Sequence, residues 1–258
     1  MLADKRYESI LRMTDEQGFV RTKDLAQALG VSETTVRRDI DELDAQKRLV
    51  RVHGGVKSLA EQCLTNPKDE ARMSDRSAIH AYEKELICRK AADLVHDGDS
   101  VFIDGGTTTV PLVRWLRDKK VRIITHNMLV AEAFDQGKAE LFLLPGDYDP
   151  YYSMTVGPAT GEAVEKFRFN IAFFSCLGVD PETHEVYTAE MKTPHVKRIA
   201  AIRSRQNVLL ADSSKFDVKA YYTMAHTDNF DLVITDEGAH KLGDDKIPDN
   251  FVIVSAGK

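Results

Sequence analysis

The sequence has few of the features that mark disulfide-bonded, metal-binding or membrane-spanning proteins. Its three cysteines are far apart and form no CxxC pair, which argues against a disulfide framework or a zinc site. No apolar run approaches the roughly 18–20 residues that cross a bilayer, and the N-terminus is charged where a signal peptide would be apolar. The histidines show no metal-ligand spacing, and neither a Walker A nor a GxGxxG motif is present. We therefore expect a cytoplasmic protein without metal, cofactor or membrane contact.

The acidic charge is unevenly distributed along the chain. Of the 35 Lys+Arg and 41 Asp+Glu residues, positions 1–57 hold 11 and 10, which leaves 24 and 31 for the remainder. A net charge of −6 therefore describes mainly the later part of the chain and does not exclude nucleic-acid binding by a local basic surface near the N-terminus. A length of 258 residues is typical of two domains or one large one.

The segment from Val31 onward has the pattern of a helix that inserts into DNA. Ser32 predicts an N-cap, and Val36, Ile40 and Leu43 lie at i, i+4 and i+7 on one apolar face. Short donors and two arginines occupy the opposite face, which is the kind of surface that a recognition helix offers to base edges and phosphates.

The preceding residues predict the rest of a helix-turn-helix. Helices are expected over 4–16 and 23–29, separated by a β-like run at 19–21, and Thr22 is expected to cap the second. Gly30 suits the left-handed residue that turns that helix into the next. Together these features are typical of a helix-turn-helix.

The segment LVRVHGGV at 49–56 predicts a β-wing, because apolar residues surround Arg51 and Gly54-Gly55 suits a tight reversal. Each arginine taken alone is as well explained as a solvated surface charge, but the combination is more specific. The predicted DNA-contact residues are Ser32, Thr34, Thr35, Arg37, Arg38, Arg51 and His53.

Residues 5–57, with TKDLAQALGVSETTVRRDIDEL followed by RLVRVHGG, resemble the N-terminal domain of the DeoR family of bacterial transcriptional regulators. The resemblance implies a winged helix-turn-helix, mainly α with a β-wing, that binds operator DNA, usually as a repressor.

From residue 80 onward, helical and strand patterns alternate, which predicts an α/β domain with a mostly parallel sheet covered on both faces. We expect strands at 100–104, 121–125, 140–145, 170–178, 207–211, 232–236 and 251–255. Helical stretches are expected at 81–96, 109–117, 128–134, 161–167 and 194–204. The predicted organisation is therefore a DNA-binding domain at 1–57, a polar linker at 58–79 and a sensor and oligomerisation domain at 80–258.

Ligands of such sheets bind outside the carboxyl ends of the strands. After the first strand, glycines and threonines lead into a helix, which suits a phosphate, although a tight strand-to-helix turn is the simpler alternative. Polar groups after later strands are candidates for sugar hydroxyls and for an anion clamp by Lys215, with a helix cap and a loop ion pair as the alternative for Asp212 and Lys215. Glu190 and Lys192 are weaker candidates. The predicted effector contacts are Asp104, Gly105, Gly106, Thr107, Thr108, Thr125, His126, Asn127, Gly146, Gly178, Asp212, Ser214 and Lys215.

These segments are also similar to the sensor half of the DeoR family, whose fold resembles ribose-5-phosphate isomerase and CoA transferases. The matching motifs are D-x-G-T-T from Asp104, D-x-S-K-F from Asp212, and a threonine–asparagine element at Thr125 and Asn127. The resemblance implies a phosphorylated sugar or related intermediate as effector, and a homodimer or homotetramer. One departure from the family is Asp147, since the family often has a second glycine after the position of Gly146. A carboxylate at this position would repel a phosphate.

The predicted function is that of a repressor of a sugar-metabolism operon, not an enzyme. An isomerase-like enzyme with Lys215 or Asp212 in proton transfer is the alternative, weakened by the attached DNA-binding module and the lack of a second acid/base pair. A third hypothesis is an oligomerisation domain that binds no ligand.

Overall fold

A computed structural model describes residues 3–17, 19–46, 48–52, 54–57, 73–189, 191–216, 218–220, 222–243 and 247–255. The described residues up to Lys57 and most of those from Met73 onward belong to two separate compact units. Of the predicted linker, residues 58–72 lie outside the described residues, and the six residues from Met73 form a helix.

The N-terminal unit combines three helices with a small antiparallel sheet. The elements are α1 Ala3–Gln17, β1 Phe19–Arg21, α2 Thr22–Leu29, α3 Glu33–Ala45, β2 Val50–Val52 and β3 Gly55–Lys57. The strand order is β1-β3-β2, so the hairpin β2–β3 forms the predicted wing and pairs with the short strand between the first two helices.

The apolar stripe of α3 packs inward as its spacing predicts. Val36 and Leu43 are fully buried and Ile40 nearly so, and they join Leu25 of α2 and Ile10 of α1 in one core. These three helices therefore share one hydrophobic centre, and the opposite face of α3 points away from it.

The predicted turn chemistry is confirmed at two of three positions. Gly30 has a left-handed φ of 64°, and the Ser32 side chain accepts a hydrogen bond from the Thr35 amide at 3.2 Å. The predicted cap by Thr22 is wrong, because α2 begins at Thr22 and its N-cap is Arg21, which makes no side-chain cap bond. The Thr22 amide donates instead to the carbonyl of Gly54 in the wing at 3.1 Å, so backbone satisfies this amide.

The C-terminal unit is an α/β structure. Its helices are α4 Met73–Ala78, α5 Ala81–Ala92, α6 Leu112–Leu116, α7 Met128–Ala133, α8 Pro158–Val164 and α9 Pro194–Arg203. Its strands are β4 Ser100–Ile103, β5 Arg122–Thr125, β6 Glu140–Leu143, β7 Asp147–Asp149, β8 Met154–Val156, β9 Phe169–Ser175, β10 Gly178–Val179, β11 Glu185–Tyr187, β12 Ser204–Leu210, β13 Thr223–His226, β14 Leu232–Asp236 and β15 Phe251–Val254. Short 3-10 helices lie at Ser213–Lys215, Thr227–Asn229 and Glu237–Leu242.

Seven strands form a parallel sheet in the order β15-β14-β12-β9-β4-β5-β6. Alternate residues of β4 enter different cores: Val101 and Ile103 pack with α5, α6 and α7, whereas Phe102 packs with α8 and α9. The prediction of a parallel sheet covered on both faces is confirmed.

The structure adds elements that the sequence patterns did not reveal. β7 and β8 form an antiparallel hairpin, and β10, β11 and β13 form a second small sheet. α6 begins at Leu112, three residues later than predicted, because the Thr109 hydroxyl bonds back to the carbonyls of Asp104 and Gly106 and holds a turn there. Among the described residues, no helix is long and apolar enough to cross a membrane.

Candidate functional site

The outward face of α3 presents the predicted DNA-contact side chains to solvent. Thr34, Arg37 and Arg38 are exposed and Thr35 is half-buried. The hydroxyls of Ser32 and Thr35 lie 2.9 Å apart, so each already has a hydrogen-bond partner. This geometry leaves the two arginines as the long cationic side chains of the face.

A basic groove lies between α2, α3 and the wing. Four cations line it, namely Arg21, Lys23, Arg37 and Arg51, together with the carboxylate of Glu33. Arg21 and Lys23 were missed in the sequence analysis, although the run RTKD at the start of α2 places both beside the helix N-terminus. A groove with this excess of positive charge favours a polyanion.

Two of these arginines are held by carboxylates in exposed ion pairs. Arg37 lies 3.2 Å from Glu33 one helical turn earlier, with both side chains about half exposed or more. The Arg51 guanidinium pairs with Asp41 across the surface. Exposed pairs contribute about 0–1 kcal/mol, so phosphates can displace such partners at little cost. His53 lies outside the described residues.

The orientation of α3 is fixed by a buried ion pair that the sequence analysis did not identify. Arg6 of α1 donates to both carboxylate oxygens of Asp39, at 2.7 and 2.9 Å. Asp39 is 3% exposed and directly follows Arg38. The bidentate contact raises the pKa of Arg6 above its ordinary value, and it joins the first helix to the buried side of the third.

In the C-terminal unit, a cleft opens between the carboxyl ends of β4 and β9. Chain order reverses here, since β5 and β6 lie to one side of β4 while β9 and β12 lie to the other. Ligands of open parallel sheets bind at such a reversal. The described residues lining the cleft are Met73, Arg76, Gly105, Gly106, Thr107, Thr108, Tyr152, Met154, Ser175, Cys176, Leu177, Thr188, Ala189, Thr193 and Lys197.

Neighbouring protein atoms restrict the space at both loop glycines, strictly at Gly106 and less so at Gly105, where the neighbour is the flexible end of the Met154 side chain. A Cβ at Gly105 would lie 2.8 Å from the Met154 side chain, and one at Gly106 would lie 2.2 Å from the Ser175 hydroxyl. Gly106 also has a φ of 109°, which side chains rarely adopt. The glycines thus let the loop pack against the ends of β8 and β9.

Asp104 lies beneath this loop and is fully buried. One carboxylate oxygen accepts hydrogen bonds from Lys197 and from the Ser175 amide at 3.0 Å, and the other lies 3.2 Å from the His126 ring. Burial raises the pKa of Asp104, but the charge of Lys197 and the His126 contact outweigh it and lower that pKa to about 2. Asp104 is therefore an anion that holds the Lys197 ammonium at the cleft.

The polar residues at the end of β5 and directly after it support the loop that follows β4 instead of lining the cleft. Thr125, His126 and Asn127 are all fully buried. The Asn127 amide donates to the carbonyls of Asp104 and Gly106, and its oxygen caps α7 by accepting from the Leu129 amide. Their hydrogen bonds shape the loop above Asp104 and none of the three is among the described lining residues, so contact of these side chains with a sugar hydroxyl stays a prediction.

Several other predicted contacts lie away from the cleft wall. Asp212 is buried and caps the 3-10 helix at Ser213–Lys215, accepting from the Ser214 amide at 3.3 Å. A Cβ at Gly146 or Gly178 would strike neighbouring backbone or Thr160. Gly146, Asp147, Gly178, Asp212, Ser214 and Lys215 are absent from the cleft lining in the described part of the chain. Ligand contact by Gly146, Gly178, Asp212, Ser214 and Lys215 therefore stays a prediction, and Asp147 is exposed on β7.

The cations at the cleft come mainly from helices. Lys197 lies on α9 and Arg76 on α4, within the predicted linker, and these are the charged side chains among the described lining residues. Glu190 lies outside the described residues, and Lys192 pairs with Asp149 at 2.8 Å. Within the described chain, no group of three or more His, Cys, Asp or Glu residues is arranged to hold a metal ion.

Two family models match successive parts of the chain. Residues 6–62 match the DeoR-like helix-turn-helix domain, and residues 79–237 match the DeoR C terminal sensor domain. The lactose phosphotransferase system repressor of Streptococcus mutans is 30% identical over 241 residues, 92% of this chain and 93% of that protein. The glycerol-3-phosphate regulon repressor of Escherichia coli is 31% identical over 245 residues, 92% of each. Ribose 5-phosphate isomerase A of Methanocaldococcus jannaschii is similar with a TM-score of 0.37 and 19% identity, covering 52% of this chain and 53% of that one.

Proposed function

The chain belongs to the DeoR family of DNA-binding transcriptional regulators, and on that premise we propose that it represses a carbohydrate operon under the control of a phosphorylated sugar. As a member of this family it is a regulator and not an enzyme, so the isomerase-like alternative falls. Two relatives named as repressors of lactose phosphotransferase and glycerol-3-phosphate genes support the assignment to phosphorylated-sugar metabolism.

The proposed operator surface is the exposed side of α3 with the neighbouring groove. Arg37 and Arg38 contact bases or phosphates, and Arg21 and Lys23 add phosphate contacts from the start of α2. The short side chains of Ser32, Thr34 and Thr35 face base edges, and Arg51 and His53 act from the wing. The exposure of the α3 arginines and the positive charge of the groove support this arrangement.

The proposed effector site is the cleft at the ends of β4 and β9. The observation that supports it most strongly is that the charged residues lining it, within the described chain, are the cations Arg76 and Lys197, next to the hydroxyls of Thr107 and Thr108. The two cations and the hydroxyls of this lining suit a phosphate group. Asp104, Thr125, His126 and Asn127 hold the loop in place, and Asp212, Ser214 and Lys215 are not among the described lining residues.

The ligand changes DNA binding only if it favours one arrangement of the assembly over another. We propose a homodimer or homotetramer in which residues 1–57 bind DNA, 58–79 connect, and 80–258 sense the ligand and associate. Ile202 and Met191, which are 75% and 62% exposed, supply apolar surface for that association. Sedimentation of the full chain with and without DNA measures the stoichiometry.

The test uses the full chain, a DNA site selected from a random-sequence library, and a panel of pentose and hexose monophosphates. We expect at least one phosphate to raise the melting temperature of the protein and to change its affinity for the selected DNA. The unphosphorylated sugars are the ligand control. Lys197→Met removes a cleft cation and should abolish the response, whereas Lys166→Met changes an exposed lysine and should keep it.

If the full chain enriches no DNA sequence from the library, the assignment of the N-terminal unit as the operator-binding domain is contradicted. A selected DNA site whose affinity none of the phosphates changes, with no shift in melting temperature, would contradict the effector assignment. An equal response to the unphosphorylated sugars would contradict the role of the phosphate.

A further inference from the structure

The helix α4 forms one wall of the cleft, although it lies in the segment that the sequence predicts as a linker. Met73 and Arg76 line the cleft together with Gly105–Thr108 of the loop that follows β4. Met73 is 4% exposed and packs with Tyr152, Met154 and Val156 in an apolar cluster of its own. A helix that is anchored in this way and exposes an arginine to the cleft is placed to touch whatever binds there.

A buried lysine joins α4 to the loop across from it. The Lys84 ammonium donates to the Arg76 carbonyl at 2.7 Å and to the Thr107 hydroxyl at 3.0 Å. Lys84 is 3% exposed. Burial lowers its pKa to about 8, with the negative charge of Asp212 acting in the opposite direction. Burying an ammonium is costly, and its two hydrogen bonds go to α4 and to the loop after β4, which both line the cleft.

We infer that Arg76 contacts the effector's anionic group and that Lys84 is the positioning residue that couples the loop at Gly105–Thr108 to α4, so that ligand occupancy fixes α4. This inference rests on the proposed effector site and adds two residues that the sequence analysis did not assign to it. A bound anion connects Arg76 to the loop at Gly105–Thr108. Lys84 connects the same two segments without a ligand, through its hydrogen bonds to the Arg76 carbonyl and the Thr107 hydroxyl. α4 is the first described helix after residue 57, so it is the helix of this unit nearest in sequence to the DNA-binding domain.

Hydrogen exchange on the wild-type full chain is the first test. The probes are the sugar phosphate that gives the largest thermal shift and, separately, inorganic phosphate. We expect the amides of residues 73–80 and of 104–109 to become more protected together when ligand binds. Protection of the loop with no change in 73–80 overturns the inference but leaves the effector site standing. Protection of 73–80 alone overturns the connection between the two segments, and no protection in either segment contradicts the effector site itself.

Two variants separate contact from coupling. Arg76→Gln should weaken ligand binding by tenfold or more, as expected for loss of a charge-assisted contact. Lys84→Met should retain ligand affinity within about fivefold while the ligand-induced change in DNA affinity falls by at least tenfold, a loss of coupling of about 1.4 kcal/mol. Lys90→Met, an exposed lysine on the same helix, and Arg122→Gln, an exposed arginine on β5, are the matched controls.

A Lys84→Met protein that still transmits the ligand to DNA as wild type does would overturn the coupling role. An Arg76→Gln protein with unchanged affinity would overturn the contact. If Lys84→Met does not fold, Lys84→Arg preserves the charge, and the exchange experiment on the wild type remains decisive.

Discussion

Each unit buries an aspartate against a cation, yet the two pairs have different surroundings. Asp39 meets the Arg6 guanidinium within the helical core, and its oxygens are satisfied by that single partner in a bidentate contact. Asp104 meets Lys197, the Ser175 amide and the His126 ring, and Lys197 also lines the cleft. The first pair orients a helix and leaves its outer face free, whereas the second pair keeps a cation at the cleft that we propose as the effector site.

The comparison shows how one chemistry serves two purposes. An ion pair buried on both sides is a structural joint, because removing either partner leaves a charge without compensation. An ion pair in which one member faces a cleft is also part of the binding surface, so a single substitution alters stability and ligand affinity together. Substitutions within and around the two pairs test this distinction.

The largest effect is expected for Asp104→Asn. The substitution leaves the Lys197 ammonium nearly buried without its counter-charge, and breaking such a pair costs about 3–5 kcal/mol in the free energy of unfolding. Urea unfolding followed by the fluorescence of Trp115, the single tryptophan and a residue of α6, reports on this unit. Asp149→Asn, which disturbs the more exposed pair with Lys192, should cost no more than about 1 kcal/mol. Equal losses in the two variants would refute the special role of Asp104.

The same carboxylate predicts a pH dependence. Its pKa is about 2 in the folded protein against an ordinary value of 3.8, so its contribution to stability is fully present above pH 4. That contribution decreases as the pH falls toward 2, because the unfolded state takes up the proton first. The stability difference between wild type and Asp104→Asn should therefore shrink between pH 4 and pH 2. A difference that stays constant over this interval would show that Asp104 is not the charged partner.

An intermediate effect is expected on DNA binding from Arg38→Ala. Loss of an arginine that reads a base costs about 1–3 kcal/mol, and because Arg38 is exposed the melting temperature should not change. The neighbouring Asp39→Asn should instead lower the melting temperature of the N-terminal unit. Fluorescence anisotropy with the selected DNA and circular dichroism melts measure the two quantities. Arg12→Ala, an exposed arginine on α1, is the control, and an Arg38→Ala protein with unchanged DNA affinity would remove this residue from the contact surface.

The smallest effect is expected for Asp41→Asn. In its ion pair the Arg51 side chain is 56% exposed and the Asp41 side chain 52% exposed. The free energy of unfolding should therefore change by no more than about 0.5 kcal/mol. Because the substitution removes a negative charge near the groove and releases Arg51, DNA affinity should rise by up to about fivefold at low salt. Weaker DNA binding in this variant would show that Asp41 positions Arg51 for contact.

The helix-turn-helix was predictable because its signals are local. The spacing of Val36, Ile40 and Leu43, the left-handed position of Gly30 and the cap at Ser32 all act within a few residues of one another. The Thr22 cap failed for a non-local reason, since the amide of Thr22 is satisfied by a carbonyl of the wing. The Arg6–Asp39 pair was missed for the same reason, because its partners are 33 positions apart.

For the cleft, the loop after the first strand was identified, but most of its surroundings were not. Strand order cannot be read from alternating helices and strands, so every strand end was an equal candidate, and Asp212 and Gly178 were included although they lie off the cleft. Lys197 is 93 positions from Asp104, and its apolar neighbours on α9 gave no sign that it reaches a carboxylate. Arg76 and Lys84 lay in or beside a segment whose pattern predicted a linker.

The central strand pair β4 and β9 also determines the order in which the polypeptide acquires its parts during synthesis. All residues of the N-terminal helices and wing have been made once 57 residues are synthesised, whereas β4 lacks its second neighbour, β9, until Ser175 is made, and Asp104 lacks its ammonium partner until Lys197 is made. Long-range pairing of this kind forms late. A nascent or prematurely terminated chain therefore contains the whole DNA-binding unit before it contains the complete cleft.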